Sequence, residues 1–156
     1  MNIVSLSDSY GKILVAIDGS KASSHAAEHG INLAQRYKAS LIILHVLHLN
    51  TLRQISSSFI TAPTFGLEDA QELKVMAKKW TENINKKAKT KGLVSKIKII
   101  EEGTSVVGSI VEFAEGEGVD LIVVGTKGKS GFSRLLLGSV AQGVLAYAHC
   151  PVLAVR

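Results

Sequence analysis

Apolar residues fall in five short, dense runs: Lys12–Ile17, Ser40–Val46, Lys96–Ile100, Asp120–Val124 and Pro151–Val155. Most are close to continuous in Ile, Leu and Val, as in strands buried on both faces of a parallel sheet. The run Lys96-Ile-Lys-Ile-Ile100 alternates instead, which predicts a place nearer a sheet edge. Between the runs the apolar period becomes helical. Ser20 can cap a helix reaching about Tyr37, with Ala26, Ala27, Gly30, Leu33, Ala34 and Tyr37 on its inner side. Further helices are predicted from about Leu67 to Lys91, from about Thr104 to the Glu115–Gly118 turn, and from Ser139 to Ala148, with Pro151 beyond. Strand and helix alternate throughout, which predicts a doubly wound α/β sheet with helices on both faces. The stretch from Leu47 to Gly66 is polar and aperiodic. A connection of that length is expected to be a functional loop or lid.

The 156 residues, 46% hydrophobic and 20% charged, suit one globular domain, placed at residues 12–156 after an N-terminal extension at 1–11. A chain of this size buries roughly 70% of its unfolded surface and needs no staple. Cys150 is the only cysteine, which excludes an internal disulfide and a cysteine-built zinc site and fits a reducing compartment, so a cytoplasmic location is expected. Met1–Gly11 lacks a basic segment followed by an apolar one, so no signal peptide is expected. No apolar run approaches the ~20 residues that span a bilayer, and no membrane partner is expected. The net charge is +5, but nine of the fourteen lysines lie between Lys74 and Lys98, with Trp80 the only aromatic there. This reads as a solvated helix face, and no nucleic-acid partner is expected.

Open α/β sheets bind ligands at the carboxyl ends of their strands, where strand order reverses. The first run leads into Asp18-Gly19-Ser20, a carboxylate at a strand tip. The fourth leads into Gly125-Thr126-Lys127-Gly128-Lys129-Ser130-Gly131, and Gly138-Ser139 then opens the last helix. Glycines permit positive φ and close backbone approach, Lys127 and Lys129 add positive charge, and a helix N-terminus attracts anions. The segment describes a phosphate cradle; an ordinary Gly-rich strand-to-helix turn is the plainer alternative.

Gly125, two residues, Gly128, nine residues, Gly138-Ser139 resembles the nucleotide-binding signature of the universal stress protein family. The resemblance extends to Ile17-Asp18-Gly19-Ser20, Leu44-His45-Val46, Leu121–Gly125, Leu135–Val140 and Cys150–Leu153, so it covers about Lys12 to Arg156. It implies a five-stranded parallel sheet in the order 3-2-1-4-5, of the adenine nucleotide alpha hydrolase-like type, with ATP as ligand and a homodimer as assembly. By position it implies that Ala16 and Asp18 border the nucleotide and that Val46 meets adenine through its backbone. Gly125, Thr126, Lys127, Gly128, Lys129, Ser130 and Gly131 would surround ribose and phosphates, and Gly138, Ser139, Val140 and Ala141 would hold the phosphate end. Lys127 stands where relatives often carry histidine or arginine.

Other motifs are weaker. Gly128-Lys129-Ser130 looks like the end of a Walker A loop, but position 123 is Val123 rather than glycine. His25-Ala-Ala-Glu28-His29 matches an inverted zinc-peptidase pattern, yet His25, His29, Asn32 and Arg36 form a polar stripe expected on an open helix surface, far from the strand tips. No G-x-S-x-G elbow supports serine hydrolysis. His45, where relatives also carry histidine, is expected either to line the pocket or to pack at its strand end. Trp80 reads as a packing anchor and Cys150 as a small buried hydrophobe. The leading expectation is an ATP-binding regulatory switch with an unidentified protein partner, Mg²⁺ or Mn²⁺ held between the phosphates and Asp18, and no assigned catalytic residue. The rivals are a slow ATPase or phosphotransferase in the same pocket and a nucleotide-free dimerisation module. Dimerisation is expected through the last strand, Pro151–Arg156, whose apolar edge carries no lysine.

Overall fold

A computed structural model describes residues 10–48, 67–101, 105–127 and 137–156. The elements run β1 (Lys12–Ala16), α1 (Lys21–Tyr37), β2 (Ser40–Leu47), α2 (Leu67–Thr90), β3 (Ser95–Glu101), α3 (Val106–Gly116), β4 (Leu121–Gly125), α4 (Ser139–Tyr147) and β5 (Val152–Val155). All four strand pairings are parallel, and the order is β3-β2-β1-β4-β5. The alternating strand, β3, is an edge, and its outward residues are exposed. The expected loop or lid between Leu47 and Gly66 falls, from residue 49 onward, outside the described residues.

The central strands divide their side chains by parity. Ile13, Val15, Leu41, Ile43, Leu121 and Val123 pack under α1 and α2, against Ala26, Ala27, Ile31, Ala34, Ile84 and Ala88. Leu14, Ile42, Leu44, Ile122 and Val124 pack under α3 and α4, against Ile110, Ala114, Ala141 and Val144. Both faces of β1 and β4 are therefore dry, which is why their sequences lack alternation. Ser23 and Ile31 join the buried face of α1, while Leu33 and Tyr37 sit half-buried at its margin rather than at its centre.

Two boundaries differ from the hydropathy pattern. Asp120 is not part of β4, because its Oδ2 accepts the N–H groups of Gly11 (2.9 Å) and Lys12 (2.8 Å) and so ties β4's start to that of β1. Likewise Ile17 lies just beyond β1. Its N–H still reaches Leu44 O at 2.9 Å, but its carbonyl bonds a side chain, described below.

The lysine-rich segment runs from α2 through the following turn into β3, and several of its ammonium groups have partners. Lys74 pairs with Glu101 (2.6 Å), Lys87 with Glu28 (2.7 Å) and Lys96 with Glu117 (3.4 Å).

Candidate nucleotide site

The tips of β1 and β4 are neighbours in the sheet, and the chain leaves them on opposite faces, so a crevice opens there. Each wall has a local cause. After β1, Gly19 takes φ +81°, which turns the backbone into the Ser20 N-cap. Asp18 Oδ1 accepts the Ser20 N–H (2.9 Å), and Ser20 Oγ accepts the Ser23 N–H (3.1 Å). Ser23 Oγ donates to Ser20 O (3.0 Å) and accepts the Asp18 N–H (3.2 Å), closing a compact network that fixes the carboxylate's loop.

At the tip of β4, Gly125 serves packing rather than unusual dihedrals. Among the described residues the positive-φ glycines are Gly19, Gly92 and Gly118. A Cβ on Gly125 would instead stand 2.8 Å from Ala22 C and Ser23 N, so only glycine lets the start of α1 approach β4. Gly138 has φ −73° and caps α4 without a side chain. The positive-φ role expected for this glycine segment therefore does not apply at Gly125 or Gly138.

Helix α4 has its N-terminus in the crevice. The first intrahelical bond is given by Gln142 to Gly138 O (2.9 Å), so the N–H groups of Ser139, Val140 and Ala141 have no carbonyl partner within the helix. Gly138 N–H is tied to Thr126 O at 2.6 Å.

These elements enclose a cavity of about 350 Å³. Its walls include Ala16, Asp18, Val46, Gly125, Lys127, Gly138, Ser139, Val140 and Ala141, nine of the residues expected from sequence. Gly128, Lys129, Ser130 and Gly131 lie outside the described residues. Thr126 is the exception among those described. It is 6% exposed and absent from the walls, because its backbone is taken up by Val155 O on one side and Gly138 N–H on the other. The walls also include Leu44, Val106, Ile110 and Val124, an apolar slot that motif reading missed, together with Ile17 and Ser23. The i, i+4 spacing of Val106 and Ile110 on a helix over the sheet was the available signal.

The competing groups lie elsewhere. Glu28 is engaged by Lys87, whose hydrogen bond and charge hold its carboxyl below the usual range. His25 and His29 meet edge to face at 5.2 Å on the surface of α1. One expectation needs correction: His25 is not far from the strand tips, since its Nδ1 stands 2.6 Å from the Arg156 main-chain oxygen just past β5. No group of three His, Cys, Asp or Glu side chains among the described residues is placed to hold a metal. Cys150 is half-buried rather than fully buried, and desolvation, with the Asp120 charge second, pushes its thiol pKa up.

The model of the universal stress protein family matches residues 9–156. The chain belongs to the universal stress protein family. Universal stress protein MJ0531 of Methanocaldococcus jannaschii is 38% identical, over 94% of this chain and 82% of its own length. The solved structure of hypothetical protein MJ0577 from the same archaeon superposes with a TM-score of 0.78 at 32% identity, covering 94% of this chain and 95% of that one. A universal stress protein solved in complex with cAMP superposes with a TM-score of 0.64 at 25% identity, covering 95% of this chain and 98% of that one. Universal stress proteins of known structure thus share this fold, and one of them is solved in complex with cAMP.

Proposed function

We propose that this protein binds ATP in the cavity at the tips of β1 and β4 and acts as a nucleotide-dependent regulatory switch. One observation carries the reading: a single cavity joins an apolar slot (Leu44, Val46, Val106, Ile110, Val124) to Lys127 and the N-terminus of α4, whose Gly138 cap makes no side-chain hydrogen bond. The slot suits a flat heteroaromatic base, and the helix end with its lysine suits phosphate. A volume near 350 Å³ is within the range of small-ligand sites. The intact glycine signature and the cAMP complex of a relative support an adenine nucleotide in particular.

Asp18 is the only acidic residue on the described walls. One carboxylate is too few for a resident metal site, but it suits a Mg²⁺ or Mn²⁺ ion held mainly by the phosphates. A slow ATPase or phosphotransferase would need a group that positions water or an acceptor at the γ-phosphate. Among the described wall residues Asp18 is the only carboxylate, and it is the group assigned to the cation, so binding is better supported than turnover. We extend the proposal to a homodimer joined through β5, an edge strand paired on one side only.

Calorimetric titration with ATP tests the site. Gly128→Val should abolish binding with the sheet intact, and Ser139→Ala should weaken it by about 1 kcal/mol or somewhat more through one lost hydrogen bond. Unchanged affinity in Gly128→Val would remove this site from consideration.

A further inference from the structure

His45 does not line the cavity. Parity on β2 sends Leu44 and Val46 to the cavity face and His45 to the opposite one, under α2. There it is 6% exposed, and its ring meets Trp80 edge to face at 5.6 Å. Its Nδ1 is 2.7 Å from the Ile17 carbonyl oxygen. A carbonyl only accepts, so the proton is on Nδ1. Ile17 is the first residue beyond the β1 ladder and the last before Asp18. Both of its backbone polar groups are held by β2, the N–H by Leu44 O and the carbonyl by the His45 ring.

Trp80 completes this support. A Cβ on Gly19 would fall 2.4 Å from the indole, so the ring lies directly against the turn's backbone. The loop that presents Asp18 to the cavity is thus clamped from the far side of the sheet, at Ile17 by a hydrogen bond and at Gly19 by a ring.

We propose that His45 is a positioning residue for the nucleotide cavity, holding the Ile17 carbonyl through Nδ1–H so that the Asp18 turn keeps its binding geometry. The inference rests on the reading of the cavity as an ATP site. It predicts that affinity follows the hydrogen bond rather than the ring. Asparagine places an amide N–H where Nδ1–H stands, whereas phenylalanine keeps the edge-on contact with Trp80 and loses the donor.

The test combines two measurements. In the wild-type protein, ¹⁵N-correlated NMR of the histidine side chains should show His45 with its proton on Nδ1; an unprotonated Nδ1 overturns the proposal. ATP titration calorimetry, well below each variant's unfolding temperature so that global stability does not enter, then compares His45→Asn with His45→Phe. His45→Asn should stay within about threefold of wild type and His45→Phe should weaken about tenfold, as for a lost buried hydrogen bond. If His45→Phe does not fold, His45→Gln, whose amide lies one bond too far out, takes its place with the same expectation. Wild-type affinity in the donor-less variant, or equal losses in both variants, overturns the positioning role. A wild-type protein that does not bind ATP overturns the reading of the cavity and this inference with it.

Discussion

Replacing Gly19 by alanine should be among the costlier single-methyl changes in this protein. Two penalties coincide there. The residue sits at φ +81°, where an L side chain costs about 1–2 kcal/mol. The new Cβ would also fall 2.4 Å from the indole of Trp80, a half-buried ring packed on the core and against His45, and overpacking of this kind costs about 1–3 kcal/mol. Together they predict a loss of about 2–5 kcal/mol. Gly92 separates the two contributions, since it has φ +74° but nothing within 4 Å of its Cβ position. Gly92→Ala should therefore lose only the dihedral share, about 1–2 kcal/mol. Gly116, which has open space and no positive φ, supplies the control, and alanine there should be neutral or slightly stabilising. In a chain of this size each kcal/mol moves the thermal midpoint by about 2–4 °C, so the first two variants should separate clearly by calorimetry or far-ultraviolet dichroism. A Gly19→Ala protein no less stable than Gly92→Ala would refute the close packing of Trp80 on the turn.

Gly30→Ala should destabilise despite alanine's better helix propensity, because the Cβ would stand 2.2 Å from Cγ1 of Val15, a stiff side chain; a net loss of about 1–2 kcal/mol is expected by denaturant titration. Leu153→Asp should shift a dimer to monomer by light scattering, and a wild-type protein monomeric at micromolar concentration would defeat the β5 interface. Val155→Lys is the less clean version, since Val155 is 8% exposed within the chain itself. The Cys150 thiol, its pKa raised by burial and by Asp120, should react with a disulfide reagent at pH 8 more slowly than free cysteine, and full reactivity at neutral pH would contradict the assigned environment.

Much of the fold was legible because two-sided burial leaves a plain mark: β1, β2 and β4 are nearly unbroken apolar runs, and β3 alternates as an edge should. What hydropathy could not locate were boundaries decided by single hydrogen bonds, such as Asp120 bridging to β1 and Ile17 O turning to His45. The site divides the same way. Asp18, Gly125 and Gly138-Ser139 stood out because their residue types are unusual at strand tips and helix starts. Val106, Ile110 and Leu44 did not, because an aliphatic side chain facing a cavity looks in sequence like one facing a core. Thr126 was expected beside the ligand through its place in the glycine segment, yet its backbone is consumed in joining β5 to α4. His45 was visible as a residue, but its role depends on which sheet face the ring occupies and on the carbonyl it finds there.

The central claim is that an adenine nucleotide occupies the cavity at the tips of β1 and β4. Backbone amide NMR during an ATP titration tests it most directly. The account predicts the largest shifts at Ala16, Val46, Lys127 and Ser139–Ala141, with little change along the outer lysines of α2. Shifts concentrated on Lys78, Lys79 and Lys86, or none anywhere at millimolar ATP, would contradict it.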